Sequence, residues 1–452
     1  MRWRRGQGGG VGRRRRIGLF ARRPLRRSRG RRRCAARARL NRSMSSFSRA
    51  GGALMTATTI RLETAKRLTA RQELELTRAA HARNAASREL RRRLAWLLNA
   101  CDRYSETVAL LAGAADLDFG EAMLRTNALL ALETHEATRE AIVSADCAFA
   151  LADADRRRAA ALADRGKAEM RLGDVRAERT LREALALDPH NKDACKRLAA
   201  LCFSTREPGA ALALAEALVA QGVGHSRVLA AQVLALARLG RIEEAREAEA
   251  RERLQLVSRL SPPPGWASRQ AFDAALAAEL VAHPGLHLER YGSASHRTWR
   301  IDSTISHFAP LAQQLLARIA TIAERHVATL AAAVDHAMIR VRPPELVLHS
   351  WCVITDEDGY ETWHVHQHGW LSGVYYVATP PGIAEARDER GHIAFGLPED
   401  LVGEEAARAF GSGLVRPEPG LMMLFPAHCY HRTYPHRASG RRICVAFDFR
   451  PA

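Results

Sequence analysis

Apolar residues recur at helical spacing from about residue 60 to 255, in a background rich in Ala, Leu, Arg and Glu, which predicts a succession of amphipathic helices. Aromatics are scarce: residues 101 to 250 contain only Tyr104, Phe119, Phe149 and Phe203, so these helices must pack closely through small side chains. Ser261-Pro262-Pro263-Pro264-Gly265 ends the pattern, because three consecutive prolines cannot continue a helix. Helical spacing returns over 268–282 and 306–334, and Pro343-Pro344 closes it.

Beyond residue 345 the period falls toward two, and thirteen aromatics crowd into 341–452. Strands are expected at 347–355, 362–368, 371–379, 391–396, 414–416, 421–427, 429–435 and 441–449, separated by Gly, Pro and Asp turn signals. Asp356-Glu357-Asp358-Gly359 reads as a hairpin turn. About eight short strands fit a double-sheet jelly roll.

The helical stretch also repeats. Leu172-Gly173-Asp174 and Leu239-Gly240-Arg241 lie 67 residues apart, with Ala184-Leu185-Ala186-Leu187-Asp188-Pro189 after the first and Glu207-Pro208-Gly209 near the halfway point. Two units of about 34 residues resemble the tetratricopeptide repeat, with Gly in the inter-helix turn and Pro after the second helix. The resemblance implies a superhelix whose concave face takes an extended peptide or a protein partner. The alternative is that these helices dimerise or support the C-terminal part.

Charge changes the picture only at one end. Residues 1–50 hold nineteen arginines, no lysine and no acid, so the formal charge of +20 leaves +1 for everything after them. Such a segment cannot bury enough apolar surface to order itself, and residues 1–54 are expected to be a disordered tail. It reads as a nucleic-acid arm, a targeting segment, or upstream sequence translated from a misassigned start, the last favoured by Met44 and Met55 standing just before the patterned sequence. Nucleic acid is an expected partner only if that tail is real. No stretch approaches the roughly 18 apolar residues of a membrane span, and the tail lacks a secretory apolar run, so a cytoplasmic location is expected. Eight cysteines without a CxxC pair suit reduced, buried thiols.

Candidate chemistry concentrates late in the chain. Trp363-His364-Val365-His366-Gln367-His368-Gly369-Trp370 sets His364 and His366 on one face of the expected strand, with His368 extending the row. Adjacent imidazoles suit Fe, Zn, Cu or Ni, so a metal site is expected, and structural zinc is one reading of it. A second cluster, Phe425-Pro426-Ala427-His428-Cys429-Tyr430-His431-Arg432-Thr433-Tyr434-Pro435-His436, precedes Arg441-Arg442-Ile443-Cys444-Val445-Ala446-Phe447-Asp448.

The succession HxHxxGWLSGVYYV, FPxxxxHRTxP and RRICVAFD resembles the bacterial family of 2-oxoglutarate/Fe(II) oxygenases often attached to tetratricopeptide arrays. The resemblance covers roughly 345–450 and more weakly 265–345. It implies Fe(II) held by His364, His366 and His431, with His368 and His428 in reserve. It further implies that Arg442, eleven residues after His431, anchors the distal carboxylate of 2-oxoglutarate, and that Ser372, Tyr375 and Tyr376 add hydrogen bonds. The family's usual triad carries an acid where this chain has His366. Glu361 has the wrong parity to replace it, and Asp448, on the face of Arg442, is expected to pair with an arginine.

The expected architecture is multidomain α + β: a tail at 1–54, a tetratricopeptide-like superhelix at 55–258, linker and supporting helices at 259–345, and a double-stranded β-helix (jelly-roll) domain at 346–452. The expected activity is a dioxygenase, a hydroxylase coupling 2-oxoglutarate decarboxylation to C–H oxidation of a peptide or protein presented by the array. The competing functions are a non-catalytic protein-binding module with a metal-bearing barrel, and a nucleic-acid-associated protein that uses the tail.

Overall fold

The computed structural model describes residues 57–114, 116–288 and 294–452, so the arginine-rich tail and its three readings lie outside the described residues. Thr56–Ala452 form one compact unit. Its first half is a stack of antiparallel helices from Ala70–Arg83 to Ile242–Glu249. The helices Arg88–Ala100, Phe119–Ala131, Asp155–Leu172, Lys192–Ser204 and Ser226–Arg238 pack on one another as an inner row, and the helices between them form an outer row.

A left-handed residue follows every helix of the inner row: Asp102, Glu133, Gly173, Arg206 and Gly240, with φ between 56° and 74°. Only two of these are glycine, although a side chain in that conformation costs roughly 1–2 kcal/mol. The Gly-to-Gly spacing therefore exposes one period, while the inner row contains five helix-ending turns of the same kind among the described residues. The turn expected at Glu207-Pro208-Gly209 sits slightly earlier, with its left-handed residue at Arg206 and Pro208 opening the next helix. Close approach of helices relies on small residues. A Cβ at Gly166 would come within 2.6 Å of the Leu181 side chain on the following helix.

The second half is a barrel of two sheets. The major sheet contains β1 (Thr59–Leu62), β2 (Leu256–Arg259), β3 (His287–Leu288), β4 (Ser295–Ile301), β5 (Glu345–Glu361), β6 (Leu371–Ala378), β9 (Leu421–Pro426) and β11 (Arg442–Pro451), in the order β2-β9-β6-β11-β5-β4-β3, with β1 parallel to the start of β5. The minor sheet has the order β10-β7-β8, built from β7 (Ile393–Phe395), β8 (Gly413–Val415) and β10 (His431–Thr433). The expected jelly roll is present, but its large sheet recruits strands from outside 346–452. The edges of β5 and β9 would otherwise offer unpaired backbone groups, and β1, β4 and β2 cover them. The expected boundary at 258/259 consequently falls inside β2.

Two local expectations are corrected. Asp356-Glu357-Asp358-Gly359 makes no hairpin, because β5 runs on to Glu361. Arg297 and Arg441 on its two flanks pair with Asp358 (2.8 Å) and Asp356 (3.1 Å), and residues 356–359 form a bulge in β5 opposite the single β4 residue Arg297. Residues 362–368 are not a continuous strand either; only His364 makes a ladder contact, with His431.

Alternation along β6 and β11 sorts the core into two layers. Leu371, Tyr375, Val377, Ile443, Val445, Phe447 and Phe449 point outward, onto the helices Arg269–Val281 and Pro310–Ala333 through Phe272, Leu276, Leu316 and Ile319. Val374, Tyr376 and Cys444 point inward, against Ile393 and Phe395 of the minor sheet. The array is fused to the barrel by a shared apolar cluster. In it, Phe203, Leu212 and Leu234 meet Leu397, Val402 and Phe410, and Arg246 donates to the Phe410 carbonyl at 3.1 Å.

Two consequences are measurable. A Cβ at Gly373, in the middle of β6, would lie 2.4 Å from the Met423 carbonyl and from the Phe447 ring. Gly373→Ala is therefore expected to destabilise the protein by about 1–3 kcal/mol in chemical denaturation. Buried Glu249 has an unpartnered Oε1, and burial, opposed only in part by Arg251, pushes its carboxyl up to about 7. A raised acid adds stability below its unfolded value and loses it as pH rises through the folded one. Glu249→Gln is accordingly expected to stabilise by roughly 1–3 kcal/mol at about pH 8, with the gain vanishing near about pH 5.

Candidate metal centre

Beyond β5 the chain crosses the barrel mouth, and its backbone is pinned at alternate residues. The His364 amide donates to the His431 carbonyl at 3.0 Å and the His364 carbonyl accepts from the His431 amide at 3.1 Å, while the His366 amide donates to the Ala427 carbonyl at 3.0 Å. Trp370 closes the segment, its amide donating to Phe449 at 2.8 Å and its indole to the Met338 carbonyl at 3.1 Å. The period-two presentation of His364 and His366 thus survives without a regular strand.

These bonds gather three imidazoles. The rings of His364 and His431 are 4.1 Å apart, those of His366 and His431 4.9 Å, and those of His364 and His366 5.4 Å. One ligand nitrogen from each lies within 4.8 Å of the others. Every Nδ1 is already engaged: His364 with the Thr362 carbonyl at 2.7 Å, His431 with the Cys429 carbonyl at 3.0 Å, and His366 with Asp448 Oδ1 at 2.6 Å. Carbonyl and carboxylate oxygens only accept, so each Nδ1 carries a proton and Nε2 is the nitrogen left to face a metal. Burial pushes His364 down to about 4 and His431 well below its ordinary value, with neighbouring histidines adding to both effects. Both rings are neutral, as ligands must be.

The two reserves lie elsewhere. His428 meets the Glu249 carbonyl at 3.1 Å and stacks on His336, and exposed His368 accepts from the Gln367 amide at 2.9 Å.

Asp448 supports the triad from behind. Its Oδ1 accepts from His366 and from the Ser372 hydroxyl at 2.8 Å, and Oδ2 lies 3.4 Å from Arg450. Burial alone would raise this carboxyl, but His366, Arg450 and Ser372 outweigh it and hold it at about 2. The expected pairing with an arginine is present, yet the shorter contact is to the histidine.

Arg442 shares the inward face of β11 with Asp448. It is buried, and its guanidinium donates to the Gly391 carbonyl at 3.0 Å and the Thr433 hydroxyl at 3.2 Å, with no carboxylate partner among the described residues. Thr433 stands two residues from His431 on β10, which fixes the side of the triad that Arg442 serves. Inward-facing Tyr376 feels the Arg442 charge. Tyr375 does not belong to this group: it points outward and donates to Asp273 of the helix Arg269–Val281 at 2.6 Å. Strand parity already separated it from Ser372, because residues three apart on a strand face opposite sides. Ser372 lies inward but serves Asp448. The role of Thr433 had no signal in the sequence, since it depends on how β10 faces β11.

Residues 349–448 match the sequence model of the family described as "Putative 2OG-Fe(II) oxygenase", and residues 175–239 match that of the tetratricopeptide repeat. The chain joins a 2OG-Fe(II) oxygenase domain to tetratricopeptide repeats. No curated protein sequence matches it. Among solved structures, a Pseudomonas putida prolyl-4-hydroxylase is similar at 15% identity and a TM-score of 0.31, over 47% of this chain and 99% of that one. YrrB, a tetratricopeptide protein with an unusual peptide-binding site, is similar at 16% identity and a TM-score of 0.30, over 39% and 94%. HygX from Streptomyces hygroscopicus, solved with nickel and 2-oxoglutarate bound, gives 16% and 0.28 over 44% and 83%.

Asp448→Asn keeps the size of the side chain but removes the charge behind His366. It is expected to weaken metal binding by about 10–100-fold, measured by competition with a chelating dye, while the thermal midpoint changes far less than the affinity.

Proposed function

We propose that the oxygenase domain is an Fe(II)- and 2-oxoglutarate-dependent hydroxylase, and that its substrate is a peptide or protein presented by the array. One observation carries this reading: three imidazoles with engaged Nδ1 atoms converge near a buried arginine that is tied through Thr433 to the strand of His431 and has no carboxylate partner among the described residues. Three neutral nitrogens suit iron and zinc alike. Arg442 favours the iron reading, because a buried guanidinium without an anion calls for an anionic ligand at the same site.

His364, His366 and His431 would hold the metal, and bound Fe(II) would let O2, the oxidant, hydroxylate a substrate C–H bond while 2-oxoglutarate is oxidised to succinate and CO2. Arg442 would grip the distal carboxylate through a planar fork, with Thr433 and Gly391 fixing the guanidinium. Asp448 orients His366 and brings negative charge within one imidazole of the metal, where the usual triad would ligate an acid directly. Phe395 and Phe425 pack on His431, at 5.8 and 4.9 Å between ring centres, and exclude water from that side. No helix among the described residues is long and apolar enough to cross a membrane. Cys195, Cys202, Cys352, Cys429 and Cys444 are buried thiols, which supports a reducing cytoplasmic location.

Anaerobic Fe(II) titration of the full-length protein tests the reading. A visible charge-transfer band is expected only when 2-oxoglutarate is present. Arg442→Ala is expected to weaken the apparent 2-oxoglutarate affinity by roughly a hundredfold, and His431→Ala to abolish the band. One bound metal per chain with no such band would contradict it and leave a metal-bearing binding module.

A further inference from the structure

The face of the array nearest the triad is strongly basic. Lys167, Lys192 with Lys196, and Arg227 stand on three successive inner-row helices, Asp155–Leu172, Lys192–Ser204 and Ser226–Arg238. None of these four has an ion-pair partner among the described residues. The acids nearby are committed elsewhere: Asp164 and Asp193 lie 3.8 and 3.5 Å from Arg197, and Asp448 serves His366 and Arg450.

The cations lead to the metal centre. Arg227 donates to Gln367 Oε1 at 2.8 Å, one residue beyond His366. Lys192 senses both Arg450 and Asp448 across the junction between array and barrel. Lys192, Lys196 and Arg227 are all held below their ordinary values, first by burial and then by neighbouring cations: Arg450 and Arg227 for Lys192, Arg227 and Arg197 for Lys196, and Arg197 for Arg227. Such crowding of like charge costs stability in the absence of an anion and is relieved when one binds. Arg442 lies on the other side of the triad, beside Gly391 and Thr433, so the basic row does not compete for the carboxylate assigned to it. The arginine-rich first fifty residues have the wrong sign to occupy the row.

We propose that this row is the substrate-docking surface, and that it selects an extended peptide rich in Asp and Glu, guided toward the triad past Arg227 and Gln367. An inner face of stacked helices suits an extended chain, and the charge supplies the selectivity. The proposal rests on the hydroxylase reading for its function, but docking is measurable without metal or cosubstrate.

The test is fluorescence anisotropy of a labelled oligoglutamate peptide with metal-free full-length protein. Binding is expected to weaken by about tenfold or more in Lys192→Glu/Lys196→Glu, and by a smaller factor in Lys192→Gln/Lys196→Gln. Arg139→Glu/Arg179→Glu, with the same charge change on outer-row helices, is expected to bind as the parent does. Circular dichroism of each variant separates lost docking from lost folding. Equal binding by the inner-row and outer-row variants, no binding by the parent, or preference for an oligothymidylate over oligoglutamate would each overturn the proposal. The hydroxylase reading would be untouched by those results, because the charge-transfer band tests it separately.

Discussion

The contact between His366 Nδ1 and Asp448 Oδ1, at 2.6 Å, ties the site to the fold. It joins the segment that crosses the barrel mouth to the end of β11, and Ser372 on β6 fixes the same oxygen. Both partners are buried, so removing the imidazole would leave the Asp448 carboxylate short of a donor, at a cost of about 1–3 kcal/mol. The same carboxylate faces Arg450 on the array side. In the proposed site, the acid that would ligate directly in the usual triad stands one imidazole further out, behind His366.

Around that contact the barrel works as two chemically distinct sides. Arg442, Thr433 and Gly391 form a buried cationic recess on the minor-sheet side. Lys192, Lys196 and Arg227 form a wider basic row on the array side. The apolar cluster shared by Phe203, Leu234, Val402 and Phe410 holds array and barrel together, so the inner row keeps a fixed position beside the triad. A docking surface on a tethered but separate module would gain only effective concentration, whereas a packed one also sets orientation.

Much of this was legible in the sequence because it depends on period. Helical spacing marked the array, alternation marked β6, β9 and β11, and HxH spacing brought His364 and His366 together. Parity along β11 put Arg442 and Asp448 on one face, and parity along β6 would have placed Tyr376 inward and Tyr375 outward. The features that stayed hidden depend on partners distant in the chain. β1 and β2 are four-residue strands that exist because β5 and β9 have edges to cover. Asp356 and Asp358 read as a turn until Arg297 and Arg441 neutralise them across the sheet. Three of the five repeat turns use Asp102, Glu133 and Arg206 where glycine would have announced them.

His364, His366 and His431 are proposed to hold one iron together through their Nε2 atoms. X-ray absorption of the anaerobically Fe(II)-loaded full-length protein, before and after 2-oxoglutarate, tests it most directly. One iron with three imidazole ligands is expected, with a change in its remaining ligands when 2-oxoglutarate is added. Fewer than three imidazoles, or a spectrum indifferent to 2-oxoglutarate, would contradict it.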